Sequence, residues 1–122
     1  MTTVLLLDDQ SLQRLGMRML IEAQPDLTVV GEAGDDAEAV RETVRLRPDV
    51  VLMDVRAPGA DGIETIRRIA QCPGDSRVLI LATFDLHTYA HAALRAGASG
   101  FLLKDARPEE LIAGIHAVAA GD

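Results

Sequence analysis

Carboxylates follow two of the most apolar segments of the chain. Asp8 and Asp9 come directly after Val4–Leu7, and Asp54 comes directly after Val50–Met53. If the two segments are neighbouring parallel strands, the three side chains share a crevice at the carboxyl edge of a sheet, where they would repel one another. A hard divalent cation is the simplest compensation, and Mg²⁺ binds one or two carboxylates while keeping several waters. The sequence therefore predicts a Mg²⁺ site here.

A hydroxyl and an ammonium group follow two further apolar segments. Thr83 comes just after Val78–Leu81, and Lys104, the only lysine, comes directly after Phe101–Leu103. A metal ion, a carboxylate nucleophile, a hydroxyl donor and a positive point charge are the parts needed for phosphoryl transfer. Taken singly, an aspartate after a strand could be a helix cap, and Thr83 and Lys104 could be a turn hydroxyl and a surface charge. Their combination at four strand ends favours the phosphoryl-transfer interpretation.

The elements that must position these groups form a regular alternation. The remaining apolar segment, Leu27–Val30, is the second in the chain, and an amphipathic segment follows each of the five. Strict alternation of this kind predicts an α/β fold with a parallel sheet and right-handed crossovers. We expect the flavodoxin-like (βα)5 doubly wound sheet, with strand order 2-1-3-4-5 in a single domain. The second and fifth strands have the weakest patterns and are expected at the edges.

Helix boundaries and faces are also indicated. Asp35-x-x-Glu38 and Asp61-x-x-Glu64 resemble capping boxes with Asp as the N-cap. Gly97 is expected to end the fourth helix and Pro108 to begin the fifth. Helical spacing in the first helix predicts an apolar face of Leu12, Leu15, Met19, Leu20 and Ala23. The expected apolar face of the fifth helix is Leu111, Ile112, Ile115, Val118 and Ala119.

Composition narrows the function classes. The chain has 122 residues, which suits one domain with its own core, and a net charge of −7, which disfavours direct nucleic-acid binding. It has no apolar run long enough for a membrane span and no secretory leader. The single cysteine, Cys72, precludes an internal disulfide. We therefore expect a cytoplasmic domain with no membrane partner.

Four segments carry a family resemblance that runs through essentially the whole chain. The sequence is similar to the receiver domains of response regulators, a CheY-like superfamily, and more closely to the NarL/FixJ (LuxR-type) subfamily of two-component transcriptional regulators. The matching segments are Val4–Gln10, Pro48–Gly62, Leu81–Thr83 and Ala96–Ala106.

The resemblance implies a role for each candidate residue. Asp54 would be the phosphoacceptor. Asp9 and Asp54, with the backbone carbonyl of Arg56, would bind Mg²⁺ directly, and Asp8 would act through a metal-bound water. Thr83 and Lys104 would contact the phosphoryl oxygens. Phe101 would be the aromatic switch residue that moves together with Thr83.

Two positions depart from the common family pattern. Asp105 follows the lysine where many receivers have proline, so a cis bond at that position is not expected. Phe101 stands where many receivers have tyrosine, so it can move as a packing element but cannot form a hydroxyl hydrogen bond. A plain role in the core is the alternative for this residue.

Three other functions fit the sequence less well. A phosphatase of the haloacid dehalogenase type needs a second Asp two residues after the nucleophile, and that position is Arg56. A flavodoxin needs a hydroxyl-rich first loop, whereas this loop begins with Asp8 and Asp9. A receiver that acts only as a protein-interaction or dimerisation module, independently of phosphorylation, would lack one of the acidic, hydroxyl or lysine groups, and none is lacking.

The resemblance also implies partners. A sensor histidine kinase would donate the phosphoryl group, and phosphorylation would favour a homodimer. We expect residues 1–122 to be the receiver domain of a longer transcription factor, in which a C-terminal LuxR-type helix-turn-helix domain binds DNA. The domain would catalyse only its own phosphorylation and dephosphorylation, so we do not expect an enzyme that turns over an external substrate.

Overall fold

The chain forms a parallel β-sheet with helices packed on both faces. The computed structural model describes residues 1–55, 60–82 and 87–121. Strands and helices alternate within these residues. Their bounds are β1 (Thr2–Leu7), α1 (Ser11–Glu22), β2 (Leu27–Ala33), α2 (Asp36–Leu46), β3 (Val50–Val55), α3 (Ala60–Ala70), β4 (Arg77–Ala82), α4 (His87–Ala96), β5 (Gly100–Leu103) and α5 (Pro108–Ala119).

The strand order is β2-β1-β3-β4-β5, and every neighbouring pair is parallel. This confirms the predicted flavodoxin-like fold and the edge positions of β2 and β5. Every strand is longer than its apolar segment, and β2 and β3 extend farthest at the carboxyl end. β2 continues through Glu32 to Ala33 along β1, and β3 continues through Asp54, which pairs with Leu81. Polar residues at these strand ends weaken the apolar signal although the backbone pairing continues.

The sheet separates two apolar clusters, because successive side chains of a strand point to opposite faces. In β1, Leu5 and Leu7 belong to one cluster and Val4 and Leu6 to the other. The first cluster includes side chains of α2, α3 and α4, and the second includes side chains of α1 and α5. Leu111, Ile115 and Val118 of α5 are buried, which confirms the predicted face of that helix.

Helix α1 buries a different face from the predicted one. Met17 and Ile21 are its buried residues, whereas Leu12, Leu15 and Met19 are 80%, 50% and 66% exposed. Both sets have helical spacing, so periodicity alone does not choose between them. Arg14 and Arg18 lie on the observed inner side of the helix, where both form ion pairs with Glu32 of β2. The prediction of a buried Leu12–Leu15–Met19 face is therefore wrong.

The capping predictions differ in outcome. Asp35 is the N-cap of α2 as predicted, and its carboxylate accepts a hydrogen bond from the Glu38 amide at 2.8 Å. The Glu38 carboxylate accepts from the Gly34 amide at 2.7 Å, one residue before the N-cap, so the reciprocal half of the predicted capping box differs. Asp61 lies inside the first turn of α3, because that helix already begins at Ala60. An acidic residue is also stabilising within a first turn, where it faces the positive end of the helix dipole. The Asp-x-x-Glu pattern therefore did not fix the start of α3.

Gly97 ends α4 as predicted, for two structural reasons. Its φ of +122° is a conformation that favours glycine, and an added Cβ would lie 2.7 Å from the Cβ of Ala70 in α3. At the other end of the chain, Pro108 occupies the first turn of α5, also as predicted.

Among the helices in the described parts of the chain, none has the length and hydropathy needed to span a membrane.

Candidate functional site

Three aspartates meet at the carboxyl edge of the sheet. Asp8 follows the end of β1, and Asp54 is the penultimate residue of β3, the strand next to it. Each of Asp8, Asp9 and Asp54 places a carboxylate oxygen within 4.8 Å of the others. Asp8 is 1% exposed, whereas Asp9 is exposed to solvent. The predicted convergence of the three carboxylates is therefore observed.

The backbone holds Asp8 firmly in place. Its amide donates to the carbonyl of Ala33 at the end of β2, at 3.0 Å. Its carboxylate Oδ1 accepts a hydrogen bond from the Gln10 amide at 2.9 Å, which shapes the loop into α1. Its carbonyl accepts a hydrogen bond from the guanidinium of Arg14. These contacts fix the peptide that leads directly to Asp9.

Lys104 supplies a cation beside Asp54. Its Nζ lies 2.9 Å from Asp54 Oδ1, and the Asp54 side chain is 1% exposed while that of Lys104 is 22% exposed. The amide of Lys104 donates to the carbonyl of Ala82 at the end of β4, so the backbone of β5 sets the lysine's position. An ion pair with so buried a carboxylate is screened little by solvent and offsets part of the penalty of burying it.

Two aspartates that the sequence did not assign to the site also line the crevice. Its walls comprise Leu7, Asp8, Asp9, Gly34, Asp35, Asp36 and Asp54. Asp36 accepts a hydrogen bond from the hydroxyl of Thr65 in α3 at 2.8 Å. Burial, together with the negative charge of Asp36, raises the pKa of Tyr89. The sequence signal for Asp35 and Asp36 was their place after β2, but their capping pattern explained them without a site.

The donor chemistry of this crevice fits a hard cation. Its ligating groups are carboxylate oxygens, with no sulfur or imidazole among the clustered residues. Mg²⁺ prefers oxygen ligands and keeps several waters, which the exposed position of Asp9 allows. The residues present therefore fit Mg²⁺ better than they fit Zn²⁺, which favours nitrogen and sulfur.

A family model matches most of the chain, including the strands that hold this crevice. The family model of the response regulator receiver domain matches residues 4–116, from β1 into α5. The chain belongs to this receiver family. The motif-based resemblance is thereby confirmed.

Relatives of this receiver domain include transcriptional regulators. It is 47% identical to the transcriptional regulatory protein YxjL of Bacillus subtilis, over 98% of this chain and 55% of the relative. It is 37% identical to the nitrate/nitrite response regulator NarL of Escherichia coli, over 98% of this chain and 56% of the relative. The chain thus spans about half the length of these curated relatives.

Solved structures agree in fold. The signal receiver domain of NarL from Mycobacterium tuberculosis superposes with a TM-score of 0.90 at 34% identity, covering 99% of this chain and 98% of that one. A LuxR-family response regulator from Aurantimonas gives a TM-score of 0.90 at 42% identity, covering 99% and 87%. These neighbours place the receiver domain among the NarL and LuxR types.

The remaining predicted residues of the receiver domain have separate outcomes. Phe101 lies on β5 beside Ile80 of β4, and it is a partly buried side chain packed against the cluster that contains Tyr89. Arg56 and Thr83 lie outside the described residues. Their assigned contacts with metal and phosphoryl group remain predictions.

Proposed function

We propose that this receiver domain is a phosphorylation-dependent signalling switch in which Asp54 accepts a phosphoryl group from a sensor histidine kinase. One observation carries the proposal: a buried carboxylate at the carboxyl edge of the sheet contacts a lysine at 2.9 Å and clusters with the carboxylates of Asp8 and Asp9. A carboxylate of this kind can act as a nucleophile that forms an acyl phosphate. In the transfer, an Asp54 oxygen bonds to phosphorus while the phosphorus–nitrogen bond of the donor phosphohistidine breaks.

Asp8, Asp9 and Asp54 would hold Mg²⁺, with the backbone carbonyl of Arg56 as a further ligand by family resemblance. When bound, Mg²⁺ supplies positive charge that stabilises the oxygens of the transferring group. Lys104, whose Nζ lies 2.9 Å from Asp54 Oδ1, would supply the second positive charge. The hydroxyl of Thr83 would donate a hydrogen bond to a phosphoryl oxygen, as the family pattern implies.

Lys104 would also prepare Asp54 for the reaction. The lysine holds one carboxylate oxygen of Asp54 at 2.9 Å and so orients the carboxylate before the donor arrives. Once the acyl phosphate has formed, the ammonium is positioned to contact an oxygen of the phosphoryl group. Since these groups act on the domain's own side chain, we propose that it is a switch and not an enzyme with an external substrate.

Phosphorylation would change the surface formed by α4, β5 and α5. Phe101 is only partly buried against the cluster of α2, α3 and α4. Movement of Thr83 toward the phosphoryl group would leave space that the Phe101 ring fills. A nearly complete switch requires the phosphoryl group to favour the active conformation by about 5.5 kcal/mol.

The output is proposed by analogy with relatives about twice the length of this chain, which are transcriptional regulators. A C-terminal helix-turn-helix domain would bind DNA in the full protein, and phosphorylation would favour a homodimer. A cytoplasmic location would give the protein access to both the histidine kinase and DNA. The second candidate function, an interaction module that works without phosphorylation, makes the opposite prediction in the following test.

Intact mass spectrometry after incubation with acetyl phosphate tests the proposal. We expect a gain of one phosphoryl group that requires Mg²⁺ and is absent in Asp54→Asn. Asp75→Asn is the matched control, because Asp75 is an exposed aspartate just before β4, at the opposite edge of the sheet. If neither acetyl phosphate nor a phosphorylated histidine kinase modifies the wild-type chain, the interaction-module function is correct instead.

A further inference from the structure

Arg14 of α1 joins the loop that carries the acidic pair to the edge strand of the sheet. Its Nη1 donates a hydrogen bond to the backbone carbonyl of Asp8, and its Nε donates to Glu32 Oε1 of β2 at 3.1 Å. The Arg14 side chain is 19% exposed, so solvent screens these contacts only in part. One planar guanidinium thus links α1, β2 and the loop after β1.

The contact with Asp8 is made to its backbone. Since the carbonyl of Asp8 belongs to the peptide that precedes Asp9, its direction determines where the Asp9 side chain starts. The Asp8 amide and carboxylate are already held by Ala33 and Gln10. Arg14 fixes the remaining polar group of Asp8, and with it the orientation of the Asp8–Asp9 peptide.

The neighbouring Arg18 provides a natural comparison. Its Nη1 lies 2.6 Å from Glu32 Oε2, so it shares the same acceptor residue, and its Nε lies 3.2 Å from Glu22. Arg18 is one helical turn farther from the crevice, and it donates hydrogen bonds to Glu22 and Glu32 instead of to Asp8. Removing either arginine therefore removes one positive charge and one ion pair to Glu32, but only Arg14 holds the metal-site loop.

We infer that Arg14 is a positioning residue for Mg²⁺ binding: it orients the Asp8–Asp9 peptide so that both carboxylates face the site with Asp54. The inference rests on the proposed function, in which these aspartates bind Mg²⁺. Arg14 contacts a backbone carbonyl near the metal ligands, and outer-shell contacts of this kind typically change metal affinity about 10–100-fold when removed.

The direction of the change in Mg²⁺ affinity distinguishes a positioning role of Arg14 from a purely electrostatic one. An arginine near a cation site repels the cation, so the loss of its charge alone would strengthen Mg²⁺ binding. Loss of orientation would weaken it. Arg14→Gln is therefore expected to lower Mg²⁺ affinity although it removes a repelling charge, and a purely electrostatic role predicts the opposite direction.

Isothermal titration calorimetry with MgCl₂ tests this on the wild-type chain and on Arg14→Gln, Arg14→Lys and Arg18→Gln. We expect Arg14→Gln to bind Mg²⁺ about tenfold more weakly than the wild-type chain. Arg14→Lys should recover the affinity only in part, because an ammonium lacks the planar fork that joins two acceptors. Arg18→Gln should stay within about twofold of the wild-type affinity. Urea unfolding of each variant without Mg²⁺ measures the structural contribution separately.

The inference is overturned if Arg14→Gln binds Mg²⁺ as tightly as wild type or more tightly, or if Arg18→Gln loses as much affinity as Arg14→Gln. Should Arg14→Gln not fold, full affinity in Arg14→Lys would equally overturn it. Wild-type protein that binds no Mg²⁺ would contradict the proposed function itself, whereas wild-type binding with an unaffected Arg14→Gln would contradict only the role of Arg14.

Discussion

At the scale of single residues, Asp54 combines a buried side chain with an ion pair to a lysine. Its side chain is 1% exposed and contacts Lys104, while Asp9 is open to solvent. A buried carboxylate is destabilising unless it is paired or hydrogen-bonded. The arrangement therefore suits a group retained for its chemistry.

Asp9→Asn is expected to stabilise the chain when Mg²⁺ is absent. The clustered carboxylate oxygens lie within 4.8 Å of one another, and removal of one charge at such a distance relieves repulsion on the order of 1 kcal/mol. The same substitution removes a metal ligand, so added Mg²⁺ should no longer raise the melting temperature. Thermal unfolding with and without MgCl₂ measures both effects.

This account of the crevice would be contradicted if Asp9→Asn changed neither the stability without Mg²⁺ nor the response to Mg²⁺. If Asp9→Asn has wild-type stability without Mg²⁺ and is still stabilised by Mg²⁺, Asp9 neither repels its neighbours nor binds the ion. Asp75→Asn, which removes an exposed charge far from the crevice, should leave the response to Mg²⁺ intact.

The site residues that lie at strand ends could be predicted from the sequence. Asp8, Asp54 and Lys104 lie at the carboxyl ends of apolar strands, so sheet topology alone brings them to one edge. The contact of Arg14 with Asp8 was not predictable, because it depends on how α1 is rotated against β2. Periodicity does not carry that information.

At the scale of elements, α1 shows why rotation about a helix axis is hard to predict. The face that contains Met17 and Ile21 also carries Arg14 and Arg18, whose guanidinium groups form ion pairs with Glu32. The exposed set looks more apolar in sequence. Periodicity and apolarity therefore favour the face that the structure exposes, while the arginines of the inner face pair with the edge strand.

A pair of alanine substitutions tests the observed rotation of α1. Ile21→Ala removes a fully buried side chain and should lower the free energy of unfolding by about 2–5 kcal/mol. Leu12→Ala removes a side chain that is 80% exposed and should change it by no more than about 0.5 kcal/mol. Urea denaturation measures both. Equal losses in the two variants would mean that Leu12 is buried and that the original sequence prediction was right.

At the scale of the whole molecule, one sheet couples two apolar clusters. Each central strand contributes alternate residues to both, such as Leu52 on one face and Val51 on the other. This architecture was predictable because strict alternation of apolar and amphipathic segments leaves few topologies. The apolarity of the segments then predicted which strands are central and which lie at the edges.

Because the clusters share a sheet, we expect the chain to unfold in one cooperative transition. Ile66→Val in the α3 cluster and Ile115→Val in the α5 cluster should each lower stability by about 0.5–1.5 kcal/mol. Neither should change the urea m-value, which reflects the surface exposed on unfolding. Circular dichroism and proteolysis across a urea series each give a midpoint of unfolding, and the two midpoints should coincide. Separate transitions, or a reduced m-value in only one variant, would show that the faces unfold independently.

The central claim, that Asp54 carries the phosphoryl group, is tested most directly by chemical trapping. The full chain is incubated with acetyl phosphate and Mg²⁺ and then treated with sodium borohydride, which reduces an acyl phosphate of aspartate to homoserine. Peptide mass spectrometry should find homoserine at position 54 alone, and none after incubation without Mg²⁺. Homoserine at position 8, 9, 35 or 36, with Asp54 intact, would contradict the assignment.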